Sequence, residues 1–584
     1  MQDFVFGSMA TTERRTAFAK MRQWGVKHLN RMAPRVPGPG DAPELTVTVE
    51  LGRQIKRVEC VVSEPETAVH PFHLARTEWD LLNWSYYQVW QVALPAQPAG
   101  TLVRYQILAH PADGSQPILA DDGATFSYLV GDPYPPAWSR KAVVYQIFPD
   151  RFNPGNGRAW PQTDDLNSIY GGDIQGIIEK LDYIADLGFN CLWLNPFFPD
   201  TTHHGYHATD YFAVNPRLGT LGDIRQLVAA AHSRGIRLLL DFVANHWGHD
   251  HHTFQQAQAD QDSEFHDWYH WREWPDEYES FFGVKALPKL NTDNPDVRAH
   301  LLESVKFWLG EIGFDGLRLD YALGPTHDFW TELRAVVKRT KPDAWMFGEA
   351  VDAPDVQLSY DGRFDGNLDF MLGQALRETF AMRKLDLVAF DAFLNQHEAY
   401  FPSRFSRPSF LDNHDMNRFL FLAGGDKRRL KLAALCQFTL AGPPIVYNGA
   451  EIGLSQNKAM ADPSGYGMAE CRRPMPWGDG EDEDLHAFFR QIIHFRHEHK
   501  ALWNGRRQTI HVHAENATYA YLIVDKEENI LVTFNLSDEA RTFQLDAPRQ
   551  HITRAVSLPP CSGRVWVNGE VLLDTAVPDL TAAA

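Results

Sequence analysis

Between residues 142 and 450 the chain alternates short apolar runs with amphipathic helical patterns, and the runs number eight. They are "AVVYQIF" (142–148), "NCLWLNP" (190–196), "IRLLLDFVANH" (236–246), "FDGLRLDY" (314–321), "AWMFGEA" (344–350), "FDGNLDF" (364–370), "SFLDNHD" (409–415) and "PIVYNGA" (444–450). Strands separated by helices pair in parallel, because each helix carries the chain back across the sheet. Eight such units close into a (β/α)8 TIM barrel of the α/β class. Helical periodicity fills most of the intervals, as in "DIQGIIEKLDYIADLG", "DIRQLVAAAHSRG" and "DVRAHLLESVKFWLGEIG".

A barrel uses only part of 584 residues, and the flanks have a different texture. Residues 1–40 read as an N-terminal helix and linker, the helix being the basic segment 11–35 that ends in "PRVPGPGD". Residues 41–135 carry short alternating runs between Gly, Pro and Asp, the pattern of an N-terminal β-sandwich like a carbohydrate-binding module. The barrel then occupies 136–500, and 501–584 return to strand-and-turn texture, a C-terminal β-sandwich. Within the barrel, 247–294 is too long for an ordinary βα loop and is rich in Trp, Tyr, Phe and His, so it reads as an inserted subdomain over the mouth.

The formal charge of −20 argues against nucleic acid and anionic membrane as partners, since both reward clustered Lys and Arg. No run is long and apolar enough to span a bilayer, and the N-terminus lacks the layout of a secretory signal. A cytoplasmic protein is expected. The five cysteines have no C-x-x-C spacing, which indicates neither a disulfide framework nor a zinc site.

Function is legible at the C-terminal ends of the strands, where barrel chemistry resides. The third run ends in Asp241, Asn245 and His246, the fourth in Arg318 and Asp320, the fifth in Glu349, and the seventh in Asp412, His414 and Asp415. Side chains alternate along a strand, so Arg318 and Asp320 share one face while Leu317 and Leu319 take the other. A single ion pair there would be structural, but polar ends on strand after strand indicate a site. Close carboxylates suit a retaining glycosidase, with one as nucleophile and one as general acid. Arg318 is expected to hold Asp320 ionised, while the apolar approach to Glu349 and its anionic neighbours raise that acid. Asp415 is the third carboxylate, and His246 and His414 are donors for sugar hydroxyls.

These motifs resemble the α-amylase family. The resemblance is carried by "DFVANH", "GFDGLRLDY", "FGEA" and "FLDNHD" in order, with "YQIFPDRF", "GYHATDY" and "CRRPMPW" in support. The N-terminal β region is similar to that of the cyclomaltodextrinase, neopullulanase and maltogenic amylase branch. The resemblance implies a retaining hydrolase of α-1,4 linkages in maltodextrins or cyclomaltodextrins, with Asp320 as nucleophile, Glu349 as acid/base and Asp415 as transition-state stabiliser. It implies substrate contacts at Tyr206, Asp241, His246, Arg318, His414, Asp462 and Arg472, an α-glucan oligosaccharide as substrate, and a homodimer. The alternatives are a 4-α-glucanotransferase of the same fold and an α-amylase acting on longer starch-type glucans.

The sequence departs from the branch around the acceptor side. Leu323 and Gly324 follow the nucleophile region, Val351 stands where an aromatic is usual, and His207 replaces a common aspartate. Loss of a stacking platform worth about 1 kcal/mol favours water over a second sugar. Hydrolysis is therefore expected to dominate, provided that none of Trp271, Trp274 or Phe282 supplies the platform. No cofactor is required for this chemistry. The tract "NHWGHDHH" reads as a solvated loop rather than a zinc site, while Asn153, Asn156, the Gly171 carbonyl and Asp173 offer oxygens for a structural Ca2+.

Overall fold

The computed structural model describes residues 5–81, 84–547 and 552–576. Its centre is a sheet of eight parallel strands: β1 (Val144–Ile147), β2 (Cys191–Leu194), β3 (Arg237–Val243), β4 (Gly316–Asp320), β5 (Trp345–Gly348), β6 (Gly366–Asn367), β7 (Ser409–Phe410) and β8 (Pro444–Tyr447). Ladders join neighbours from β6 down to β1, then β1 to β8 and β8 to β7. Main-chain bonds close the ring, Ser406 N to Asp365 O at 2.8 Å and Asn367 N to Ser406 O at 3.0 Å. Glycine permits this closure, because a Cβ on Gly366 would lie 1.7 Å from the Ser406 carbonyl oxygen. All eight expected runs thus form barrel strands, although β6 and β7 are only two residues long.

The two side-chain parities of the strands lead to different places. Val144, Cys191, Trp193, Leu239, Trp345 and Phe347 pack together in one cluster. Tyr145, Leu192, Leu238, Leu240, Leu317, Leu319 and Met346 join a second, which also contains the core faces of the helices. Gln146, Asn195, Asp241, Arg318, Asp320 and Glu349 share the parity of the first, one or two steps further along their strands. The barrel interior is therefore apolar at one end and polar at the other.

Helix boundaries follow local chemistry. Leu221–His232 begins in a capping box between Thr220 and Asp223. The pattern "DIQGIIEKLDYIADLG" divides into Ile174–Glu179 and Leu181–Leu187 at Lys180, and Pro295–Lys306 continues into a π-helical turn, Phe307–Ile312.

Two five-stranded antiparallel sheets precede the barrel. One contains Val26–Lys27 and Met32–Ala33, both paired with Glu44–Glu50, so the expected helix over 11–35 and linker to residue 40 are corrected. The helix is Val5–Arg22, and the chain beyond it joins the sandwich. Alternation is the reason: Val26 and His28 are buried, and the His28 and Leu29 N–H groups donate to the Asp121 carboxylate at 2.7 and 2.6 Å. After the barrel, a five-stranded sheet beginning at Arg506–His513 faces the pair Arg541–Ala547 and Ile552–Leu558. The segment after β3 forms a helix, His252–Ala259, a two-stranded ribbon and an aromatic core. Among the described residues no helix is long and apolar enough to cross a membrane.

Candidate active site

The polar end of the barrel opens into a cavity of about 250 Å³, lined among others by Tyr206, His246, Asp320, Glu349, Asp415 and Arg472. At its floor lies the Arg318 guanidinium, which is almost fully buried. Its Nη1 donates to Asp241 Oδ1 at 2.6 Å and to Asp320 Oδ1 at 2.7 Å, and its Nη2 lies 2.8 Å from Glu349 Oε2. Arg318, expected to hold Asp320 ionised, is thus shared among three carboxylates. Burial pushes Asp320 well above the ordinary carboxylate range, and the charges of Glu349, Asp241 and Asp415 add to it against Arg318. Burial likewise pushes Glu349 up, opposed by Arg318 and by the Tyr321 N–H, which donates to Glu349 Oε2 at 3.2 Å. Asp320 is therefore not singled out as the ionised partner by Arg318.

Asp415 has the opposite surroundings. Arg472 Nη2 donates to its Oδ1 at 2.8 Å, and His414 Nε2 lies 3.0 Å from its Oδ2. Burial raises this carboxyl, but His414 and Arg472 outweigh it and hold Asp415 well below its ordinary value. Arg472 is itself fixed, with Nε donating to the His414 carbonyl at 2.7 Å.

Tyr206 joins the two halves. Its hydroxyl donates to Asp241 Oδ2 at 2.9 Å and meets His414 Nε2 at 2.7 Å, and its ring is parallel to the His414 ring within 3°. Burial pushes His246 down to about 3, so it faces the cavity as a neutral imidazole.

Most of the expected residues therefore converge. Asp462 does not: its carboxylate accepts from the Ser464 N–H and hydroxyl, in a turn away from the cavity. Asp412 accepts from the Phe419 N–H instead of facing the site. Several participants were not anticipated. Trp193 Nε1 donates to Asp241 at 3.0 Å, Asn195 Nδ2 donates to the Tyr206 hydroxyl at 2.8 Å, and Gln146 Nε2 meets His414 Nδ1 at 2.8 Å. Their signal was present in polar or aromatic residues sharing the interior parity of β1 and β2. Phe282 lines the cavity beside Val351 and Leu323, and its ring lies 5.1 Å from that of Tyr321. Of the three aromatics Trp271, Trp274 and Phe282, Phe282 is the one that lines the cavity. Trp271 and Trp274 are instead turned into the subdomain, where their indoles donate to the His266 and Ala257 carbonyls. Both Phe282 and Tyr321 adopt left-handed backbone, φ 48° and 37°, a costly state for bulky residues that concentrates at functional sites.

The residues proposed for calcium gather around an arginine. Arg158 pairs with Asp173 and donates to the Gly171 carbonyl at 3.2 Å. The other Asp173 oxygen accepts from Gly155 N and Gly176 N. The Asn153 amide donates to the Gly176 carbonyl, and the Asn156 N–H donates to Glu179. A guanidinium engages the two best oxygens, so these residues as arranged do not fit a hard cation. Among the described residues no group of three or more His, Cys, Asp or Glu side chains is placed to hold a metal.

Buried carboxylates around one arginine, at the C-terminal mouth of a (β/α)8 barrel, define an acid–base site of the glycosidase class. Comparison with known proteins narrows the class. The family model for the alpha amylase catalytic domain matches residues 146–520. Alpha-amylase 2 of Dictyoglomus thermophilum is 33% identical over 546 residues, covering 92% of this chain and 94% of that protein. A cyclomaltodextrinase of a Bacillus species is 37% identical over 429 residues, covering 70% of this chain and 75% of the relative. A solved cyclomaltodextrinase structure matches with a TM-score of 0.68 at 30% identity, covering 90% of this chain and 93% of that one. The chain belongs to the α-amylase family, in the branch of cyclomaltodextrinases, neopullulanases and maltogenic amylases, and is a glycoside hydrolase.

Proposed function

We propose that this enzyme hydrolyses α-1,4 linkages of short or cyclic maltodextrins with retention of configuration. The observation that carries the proposal is the sharing of Arg318 between Asp320 and Glu349 in one cavity with Asp415. Carboxylates on the two ends of one guanidinium suit the close spacing, about 5–5.5 Å, of retaining enzymes. Burial pushes both up and the charge of Glu349 adds to the rise at Asp320, so the pair resists double ionisation, and double displacement requires the retained proton on Glu349. With that proton on Glu349, Asp320 is the nucleophile.

In the first step Asp320 forms a bond to the anomeric carbon while the glycosidic bond breaks and Glu349 protonates the departing oxygen. Esterified Asp320 is then neutral, and the charge beside Arg318 has moved to Glu349. In the second step Glu349 takes a proton from water, the water oxygen bonds to the anomeric carbon, and Asp320 leaves as carboxylate. Arg318 thus faces a nearly constant charge throughout. Asp415, held ionised by Arg472 and His414, accepts hydroxyl hydrogens of the distorted sugar, and Tyr206 offers a stacking face. A homodimer built through the N-terminal sandwich belongs to the same proposal, supported by an exposed aromatic hairpin in which Trp79, Trp84 and Tyr86 are 44%, 81% and 51% exposed.

Proton NMR of the first product from β-cyclodextrin and from maltotriose tests this reading. The α-anomer is expected before mutarotation, with little chain-length redistribution. An initial β-anomer would contradict retention, and dominant redistribution would favour a transferase.

A further inference from the structure

The catalytic cavity is not the largest in the molecule as described. A cavity of about 670 Å³ lies at the opposite end of the barrel, bounded by Arg140 before β1, the segment 401–407 leading into β7, residues 441–443 before β8, and Ala501–Asn504 with the first strand of the C-terminal sandwich. Five arginines line it, Arg140, Arg404, Arg407, Arg506 and Arg507, against one acidic residue, Glu398. Two have carboxylate partners: Arg404 pairs with Asp361, and Arg507 lies 3.1 Å from Asp391 and 2.9 Å from Glu398.

Among the described residues, no carboxylate pairs directly with the other three, although the charge of Arg407 acts on Asp369. Arg407 is held by His397, at 2.5 Å from its Nδ1, and by the Phe401 ring, 5.3 Å from the guanidinium carbon. Arg140 and Arg506 are exposed. In a chain with 75 acidic and 55 basic side chains, carboxylates are in excess. Two unpaired guanidiniums, with three more arginines on the same wall, run against that excess, and nearby like charges repel unless an anion lies between them.

We propose that this cavity binds a small organic phosphate of the sugar-phosphate class. Planar guanidinium groups match phosphate oxygens in a bidentate geometry. The half-buried Trp503 supplies an apolar face for a sugar ring, and Ser403 and Asn504 offer uncharged partners for hydroxyls. The volume lies within the usual range of small-molecule sites. A bound phosphate would tie the barrel floor to the C-terminal sandwich, far from the carboxylates that cut the glucan.

Isothermal titration calorimetry of the full chain tests the proposal with glucose 6-phosphate, inorganic phosphate and glucose as probes. Saturable binding of glucose 6-phosphate below about 1 mM is expected, with inorganic phosphate weaker and competing, and glucose not displacing it. The double variant Arg140→Gln, Arg506→Gln removes two exposed charges remote from the catalytic cavity. It is expected to weaken glucose 6-phosphate binding by about tenfold or more while maltodextrin hydrolysis is unchanged. No saturable binding, or equal binding by the double variant, would overturn the site. Equal affinity for inorganic phosphate would overturn the sugar part.

Discussion

Asp320 and Asp328 lie eight residues apart in one βα unit, are 7% and 3% exposed, and both bond to arginine, yet their carboxyls shift in opposite directions. Asp328 sits between the barrel and the N-terminal sandwich, where Arg104 Nε donates to it at 2.9 Å and Arg298 Nη1 at 2.7 Å. The same two arginines reach Glu332 at 3.0 and 2.9 Å. Burial raises Asp328, but Arg298 and Arg104 outweigh it and bring its carboxyl below the ordinary value. Asp320 has one arginine, shared with Asp241 and Glu349, and its carboxyl is driven up. The ratio of guanidinium to carboxylate separates a structural ion network from a site that must carry a movable proton.

The largest effects break this comparison. Asp320→Asn is expected to reduce turnover on the order of 10⁴-fold or more, whereas Asp328→Asn leaves turnover within several-fold. Stability should move oppositely. The Asp328 carboxyl is depressed in the fold, so its contribution is present above its unfolded value and lost as pH falls through the folded one. Asp328→Asn then costs about 3–5 kcal/mol at pH 7, the usual result of breaking a buried pair. The Asp320 carboxyl is raised, so its ionisation opposes folding as pH climbs above its ordinary value, and Asp320→Asn should raise the melting temperature at pH 7. Calorimetric melting of both variants checks the signs. A lower melting temperature for Asp320→Asn would show that Arg318 already balances its cluster.

A smaller effect sharpens the comparison. Arg318 lowers both Asp320 and Glu349, so Arg318→Lys, which cannot hold both with a planar fork, should let their carboxyls rise. The acidic limb of kcat/KM, which requires ionised Asp320 in the free enzyme, should move to higher pH by about one unit. Arg298→Lys in the structural network should leave that limb in place. An unmoved limb in Arg318→Lys would assign the shift to burial alone.

The contrast could not be read from the chain. Eight strands, their polar ends and the shared face of Arg318 and Asp320 were legible, because period-two alternation and strand order need only local pattern. The partners of Arg318 were not. Asp241 and Glu349 are 77 and 31 residues from it in sequence and meet it only when β3, β4 and β5 align. Asp462 was misplaced for the reverse reason: its motif matched, but local bonds to Ser464 turned it away. Arg158 escaped notice in the proposed calcium site because a search for oxygen donors passes over the cation already beside them. The short strands Val26–Lys27 and Met32–Ala33 were hidden in a segment whose charges suggested helix.

The smallest expected effect concerns the wall of the same cavity. Phe282 stands near Val351, where sequence alone indicated a missing platform. A stacking face is worth about 1 kcal/mol, a several-fold change in partition between water and a sugar acceptor. Phe282→Ala should therefore lower the share of transfer products at high maltose several-fold, while Val351→Trp adds little to the unmodified enzyme. Chromatography of products decides it, and a large gain in transfer from Val351→Trp would show that Phe282 does not serve the acceptor.

The account rests on Asp320 as the group that bonds to the sugar. Its most direct test is to inactivate the enzyme with a slow fluorinated α-glucosyl fluoride, digest it at low pH and sequence the labelled peptide by mass spectrometry. One glucosyl unit on Asp320, within "GFDGLRLDY", is predicted. A label on Glu349 or Asp415, or inactivation without any covalent adduct, would contradict the account.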